Sequence, residues 1–295
     1  MEIGEEYGGR APRPLRLVLL TCLALLAFAG NSLLCRLALA PGVMDAASFT
    51  AIRLLSGAVV LALVLRLRRR SAASKGSWPS AFALFAYAAA FSFAYLSLTA
   101  ATGALLLFGA VQASMIGYGL SQGERFSAMQ WIGLLLALAG LLGLLLPGLS
   151  APPLVGSLLM LAAGVSWAVY SLRGRGAGDP TAVTAGNFLR AAALGLLLLL
   201  CFQAKLSVNA SGIAYAVGSG ALASGLGYVV WYTVLPSLPA THAASLQLCV
   251  PVITAVGGII GLGEAPSLRL VIAAIAILGG IALVIGWQVT AKRAR

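Results

Sequence analysis

Apolar residues along this chain run in blocks of about 20, and a block of that length is one helical crossing of a bilayer. Ten such spans are predicted, at about 14–38, 46–66, 78–99, 101–121, 127–147, 153–173, 181–203, 210–234, 239–261 and 268–290. Turn formers stand where the blocks end: Pro41-Gly42, the run from Ser71 to Ser77, Pro147-Gly148, Pro152-Pro153, Gly178-Asp179-Pro180, and Pro236 to Pro239. Most connections are short, so neighbouring helices are expected to run antiparallel. Ser127 with Gln130 has capping-box spacing and would open the fifth span, and Ser267 stands at the matching place before the tenth.

The pattern repeats. Gly117–Gly140 reads GYGLSQGERFSAMQWIGLLLALAG, and 140 residues later Gly257–Gly280 reads GGIIGLGEAPSLRLVIAAIAILGG. Gly123 and Glu124 align with Gly263 and Glu264, between the end of one apolar helix and the start of the next. Upstream, at a spacing of 137, Arg36 aligns with Arg173, Arg53 with Arg190 and Tyr95 with Tyr232. The chain thus divides into a tail at 1–13, a five-span unit at 14–147, a second at 153–290 and a short tail at 291–295. Because each unit has an odd number of spans, the second enters the membrane from the opposite face. The expected fold is an all-α integral membrane protein, ten transmembrane helices in two inverted five-helix repeats, with a site near the midplane between them.

Composition agrees with the pattern. With 61% hydrophobic and 9% charged residues and a mean hydropathy of +1.01, no soluble core could hide the apolar surface. The first block continues past Leu25 to about Ala38 without a clear cleavage site, so it is read as a retained helix rather than a signal peptide. Cys22, Cys35, Cys201 and Cys249 all fall in apolar runs without ligand spacing, which favours small apolar fillers over disulfides or a metal site. The net charge of +12 follows topology rather than nucleic-acid binding. Leaving aside Arg36, Arg53 and Arg190 within spans, fourteen basic residues fall on one side and two, Lys205 and Arg269, on the other. That asymmetry places both termini in the cytoplasm. Trp78, Trp131, Trp231 and Trp287 then fall near cytoplasmic helix ends and are read as an interfacial belt.

Taken together, the ten spans, the doubled unit, an arginine in the second helix of each (Ile52-Arg53, Leu189-Arg190), the Gly-Glu turn after the fourth, and Leu248-Cys249-Val250-Pro251-Val252 in the ninth resemble the ten-helix, EamA-type branch of the drug/metabolite transporter superfamily. Within it the chain is similar to bacterial exporters of aromatic amino acids. The resemblance implies a multi-pass bacterial inner-membrane protein whose spans one, three, four, six, eight and nine line a central cavity, while five and ten pack at the repeat axis.

Polar groups deep in a bilayer are costly unless they face a cavity or a partner. Gln112 in span four and Gln247 in span nine meet that description. Pro251 lacks an N–H and leaves the carbonyl of Gln247 without its helical partner, so amide and carbonyl together would suit a substrate ammonium or hydroxyl; an ordinary proline kink is the alternative. Tyr87, Phe91 and Tyr95 are spaced by four on one face of span three. With Trp167 and Tyr170 on span six, Phe188 on span seven, and Tyr228 and Tyr232 on span eight, they are candidate walls for a flat apolar group, against a plain packing role.

All seven carboxylates lie in the tail or in turns, and span one offers only Asn31 where the related multidrug branch carries an embedded Glu. Proton-coupled exchange of cations is therefore disfavoured. His242 near the start of span nine is a titratable candidate, with a structural hydrogen-bonding role as the alternative. Arg53 and Arg190 are either anchors for a substrate carboxylate or structural, and their matched positions favour structure. A serine-protease reading, with Ser166 and His242 as the nearest pair, fails on context, and no HExxH, aspartyl dyad or phosphate loop occurs.

The sequence thus points to a transporter and not an enzyme, without cofactor or metal, whose partners are a small-molecule substrate and the lipid bilayer rather than nucleic acid. A monomer suffices for this reading. The expected activity is facilitated export of small amphipathic metabolites, foremost amino acids with aromatic or large apolar side chains. Broad drug efflux is the runner-up, and an intramembrane enzyme the remote one.

Overall fold

A computed structural model describes residues 14–39, 43–69, 75–123, 125–148, 151–174, 178–203, 206–238 and 246–293, with backbone alone for 14 and 286–293. His242 and Glu124 lie outside the described residues. The helices are α1 (Pro14–Ala38), α2 (Ala46–Leu67), α3 (Trp78–Tyr95), α4 (Ala100–Ser121), α5 (Ala128–Leu145), α6 (Leu154–Gly174) and α7 (Pro180–Cys201). The eighth span is composite: α8 (Ala210–Val217), a π-helical stretch Gly218–Leu226, α9 (Gly227–Val234) and a 3-10 turn Leu235–Ser237. α10 (Cys249–Leu262) and α11 (Leu268–Arg293) carry the ninth and tenth.

Eight of these are long and apolar enough to cross a bilayer; α3 is not among them, and α10 has 14 residues. The fold is an all-α, multi-pass membrane fold. Among the described residues the nearest thing to a strand is one antiparallel bridge between Met44 and Val208.

Local chemistry places the helix starts. Asp45, Ser77, Thr99, Asp179 and Asn209 each accept a backbone N–H of the first turn that would otherwise have no partner. The predicted capping box is present, Ser127 and Gln130 satisfying one another's backbone at the head of α5. Ser267 accepts from the Leu270 N–H at 3.1 Å, the matching cap before α11.

The packing is paired. α3 lies on α6 and α7, and its counterpart, the eighth span, lies on α1 and α2; α4 lies on α6 as α10 lies on α1. α2 with α7, α4 with α10 and α5 with α11 are pairs of equivalents packed on each other. A twofold relation between the units produces this set of contacts.

Two close approaches are made by glycine. On α5 and α11, a Cβ at Gly133 would lie 2.6 Å from the Gly280 carbonyl oxygen, and one at Gly280 would collide with that of Gly133. On the eighth span, a Cβ at Gly220 would collide with the Arg53 carbonyl and the Ser56 hydroxyl. The second contact seats the π-helical stretch on α2. π turns occur chiefly at functional sites, and this one, GSGALASGL, is built of small residues that let the widened backbone approach a neighbour.

The ninth span is interrupted just before its proline. Leu246 and Gln247 are helical, a turn with helical dihedrals falls at Leu248, and α10 continues from Cys249, so the irregularity stands three residues before Pro251. Proline has no N–H to give the carbonyl four residues back, here that of Gln247, and its ring crowds that carbonyl. The turn at Leu248 is where a proline at 251 disturbs a helix.

Candidate functional site

The aromatic stripe of α3 forms as its spacing requires. Tyr87, Phe91 and Tyr95 are all buried, with successive ring centres 5.4 and 4.8 Å apart. Trp167 of α6 lies 5.0 Å from Tyr87 and 4.7 Å from Tyr228 of α9. Phe28 of α1 closes the group, 6.1 Å from Trp167 and 6.0 Å from Tyr228. Tyr170 joins it 5.7 Å from Trp167, and Phe188 of α7 joins it 5.8 Å from Tyr228. Contacts at these separations contribute roughly 0.5–1.5 kcal/mol each beyond the area they bury. The walls therefore hold one another in place.

Trp231 is a correction. It is 4% exposed and packs edge-on against Phe28 at 5.6 Å, so it belongs to this aromatic centre and not to an interfacial belt. The composite eighth span turns α9 so that Trp231 faces α1. Trp78 and Trp131 are exposed on the outer surface, as a belt residue would be.

Polar groups thread through the rings. Asn31 donates to the Tyr87 hydroxyl at 3.2 Å and accepts from the Ser219 hydroxyl at 2.6 Å. Arg53 is 1% exposed. Its Nε donates to the Ser224 hydroxyl at 3.2 Å, and its Nη2 to the hydroxyls of Tyr87 at 3.0 Å and Tyr228 at 3.5 Å. Its guanidinium carbon lies 5.0 Å from the ring centres of both Tyr87 and Phe91, within cation–π range. Ser219 and Ser224 both belong to the π-helical stretch, whose wider turn brings them to one side.

A cavity of about 20 Å³ lies at the middle of this group. It is lined by Phe28, Asn31 and Ser32 of α1, Tyr87 of α3, Leu107 and Phe108 of α4, Trp167 of α6, and Tyr228 of the eighth span. Five of the six spans implied by the resemblance contribute, and no described residue of the ninth does. The volume suits about one water, so the walls are closed on one another in this conformation.

Other candidates stand apart. Gln112 is buried on α4 and Gln247 is buried just before α10, and neither lines the cavity. Tyr95 lies at the end of α3, where its hydroxyl donates to the Ala100 carbonyl at 3.3 Å. Tyr232 is buried near Gly174, at the far end of α6.

The two ends of the molecule are tied differently. At one, Glu264 accepts from Arg36 Nε at 3.0 Å and from the Ala100 N–H at 2.8 Å, while Arg36 Nη1 donates to the Tyr95 carbonyl at 3.3 Å. The Gly-Glu turn of the second unit thus joins α1, α3 and α4. At the other end Arg173 donates to the Ser80 hydroxyl at 3.1 Å, and Arg190 Nη1 to the carbonyls of Lys75 and Gly186 at 2.9 and 2.8 Å. Arg53 and Arg190, matched in sequence, therefore sit in unlike surroundings.

Sequence reasoning passed over Phe28, Ser219 and Ser224 and assigned Trp231 elsewhere. One signal was available: seven of the nine residues from 218 to 226 are glycine, serine or alanine, and small residues at this density mark a close helix contact.

Comparison with known proteins agrees with the architecture. Residues 154–286 match the model of the EamA-like transporter family. The uncharacterized protein PA1977 of Pseudomonas aeruginosa is 60% identical over 271 residues, 92% of this chain and 94% of that one. An uncharacterized transporter of Archaeoglobus fulgidus is 29% identical over 207 residues, 66% of this chain and 70% of its own. A crystal structure with 23% identity superposes at a TM-score of 0.67, covering 91% of this chain and 97% of that one, a likeness of fold. From the repeat motifs, the paired membrane helices and these matches, the chain belongs to the EamA-like transporter family of the drug/metabolite transporter superfamily.

Proposed function

We propose that the protein exports small amphipathic metabolites, foremost amino acids with aromatic or large apolar side chains, by facilitated alternating access. The units at 14–147 and 153–290 would rock about the α5–α11 contact around the aromatic centre. One observation carries the reading: Phe28 and Tyr87 from the first unit and Trp167 and Tyr228 from the second converge on one central cavity with Asn31 and Ser32 beside them. A site shared between inverted units can be exposed to either face by their relative motion. Flat apolar groups stack on such walls, while amide and hydroxyl groups orient the polar end.

The case for a facilitator rests on chemistry. Proton exchange needs a titratable group in the transport path, and each described carboxylate is committed to a helix cap or an ion pair away from the cavity. With cytoplasmic termini and an inner-membrane location, export would follow the substrate gradient outward.

The test is counterflow of labelled phenylalanine into liposomes containing only this protein, with and without an imposed pH gradient. Accumulation indifferent to the gradient is expected. Strict dependence on the gradient would overturn the facilitator, and movement of a cationic dye without phenylalanine would replace the reading with drug efflux.

A further inference from the structure

We propose that the centre holds its substrate by a carboxylate, taken up as the counter-ion that Arg53 lacks. Its substrates are then monoanionic acids with an aromatic or bulky apolar body, with or without an amine. The inference rests on the aromatic centre being the substrate site.

A guanidinium keeps its charge inside a protein, and a buried charge is unfavourable unless an opposite charge and full hydrogen bonding accompany it. Arg53, on the middle of α2 and 1% exposed, has neutral partners only: the hydroxyls of Ser224, Tyr87 and Tyr228, and the faces of two rings. Its Nη1 has no acceptor among the described residues. The described carboxylates are engaged elsewhere, Asp45 with Ser48 and Ser207, Asp179 with the first turn of α7, and Glu264 with Arg36 and Ala100. Arg190, its counterpart in the second unit, is satisfied by two carbonyls and calls for no ligand. One copy of the repeated arginine has kept a structural task, and the other stands with unmatched charge beside the cavity.

The connection to the cavity runs through the phenols. The Tyr87 oxygen accepts from both Arg53 and Asn31, which leaves its own proton to donate. Tyr87 and Tyr228, the two phenols that receive Arg53 Nη2, both line the cavity. A carboxylate there would meet a hydroxyl donor polarised by a guanidinium, and opening of the closed walls would bring Nη1 within reach. A single arginine among neutral walls suits one negative charge. Among the described residues no carboxylate lines the cavity to receive an ammonium, so the amine of an amino acid is tolerated and not required, and cationic drugs are repelled.

The measurement is binding to the intact purified protein in detergent, read by thermal stability and tryptophan fluorescence, with four probes: 3-phenylpropionate, phenylalanine, phenylalanine methyl ester and phenethylamine. The two carboxylates are expected to bind within a few-fold of each other, and the ester and amine about tenfold or more weaker, the scale of one charged hydrogen-bond partner lost. Arg53→Gln should remove this preference and Arg53→Lys should restore part of it. Should Arg53→Gln not fold, Tyr87→Phe keeps the ring and the Arg53 charge while removing the hydroxyl, and should weaken the carboxylates selectively. Phenethylamine binding as tightly as 3-phenylpropionate, or a folded Arg53→Gln keeping wild-type carboxylate affinity, would overturn the proposal. Transport separates the two readings. Phenylalanine counterflow that 3-phenylpropionate cannot inhibit sinks this inference and leaves the exporter, while carboxylate-selective binding without counterflow does the reverse.

Discussion

Trp167 touches Tyr87, Tyr170, Tyr228 and Phe28, more rings than any other described side chain of the centre, and so joins the walls of the two units. Trp167→Ala removes those contacts and the largest flat surface facing the cavity. Counterflow of phenylalanine is expected to fall several-fold, up to about tenfold, with membrane insertion unchanged, the loss of one stacking partner being worth roughly 0.5–1.5 kcal/mol. Gln247→Ala and Gln112→Ala are expected to change it little, because neither amide reaches the cavity. Wild-type rates in Trp167→Ala alongside a defect in Gln247→Ala would return the site to the ninth span. A sequence reader could see that both kinds of residue were buried. Which of them faced the same space depended on helix rotation, and the widened turn from Gly218 to Leu226 altered that rotation for everything after it.

At the scale of elements, a small clasp joins the entry to α2 with the entry to the eighth span. Asp45 and Ser207 exchange backbone and side-chain hydrogen bonds of 2.9 Å, and the Asn209 N–H donates to the Val43 carbonyl at 3.1 Å. Burial works to raise the Asp45 pKa, but hydrogen bonds from Ser48, Ser207 and Ala47 outweigh it and hold the carboxyl below its ordinary range. A carboxylate depressed in the folded state stabilises above its unfolded pKa, near 4, and that contribution disappears as pH falls through the lower folded value. Melting of the purified protein should therefore drop as pH is lowered below about 4, and Asp45→Asn should flatten that part of the profile. An unchanged acid limb in Asp45→Asn would remove this residue from the account. The cap itself was legible, since an Asp before an apolar block is a common helix start. Its partner was not, because six helices, α2 to α7, lie between Asp45 and Ser207 in the chain.

For the whole molecule, the contact of α5 with α11 is the seam between units. Gln130 reaches across it to the Val284 carbonyl at 3.3 Å, and Gly133 and Gly280 bring the backbones together. Gly133→Leu forces the helices apart and should cost about 1–3 kcal/mol of stability, the usual penalty for overpacking a tight contact. Gly143→Leu, on the same helix but facing open space, should stay within about 0.5 kcal/mol. Thermal unfolding in detergent compares the two, and equal losses would mean that the seam tolerates separation.

Periodicity and count determine a good deal by themselves here. Apolar blocks of membrane length, caps before them and a doubled pattern of odd span number follow from rules that act within a few residues or depend only on adding spans. The all-α membrane fold, the family and the stripe of Tyr87, Phe91 and Tyr95 were therefore legible before any coordinates. The partners of those residues were not. Arg53 and Arg190 are the same residue at the same place in a repeat, and matched positions alone assigned them one role. Tertiary packing separated them, setting Arg190 against the carbonyls of Lys75, just before α3, and of Gly186 on its own helix, and Arg53 against phenols at the centre. The same packing drew Trp231 inward and left the glutamines outside the cavity. A sequence pattern states how a side chain is placed on its own helix, while the charge, donor or ring it meets comes from a helix many residues away.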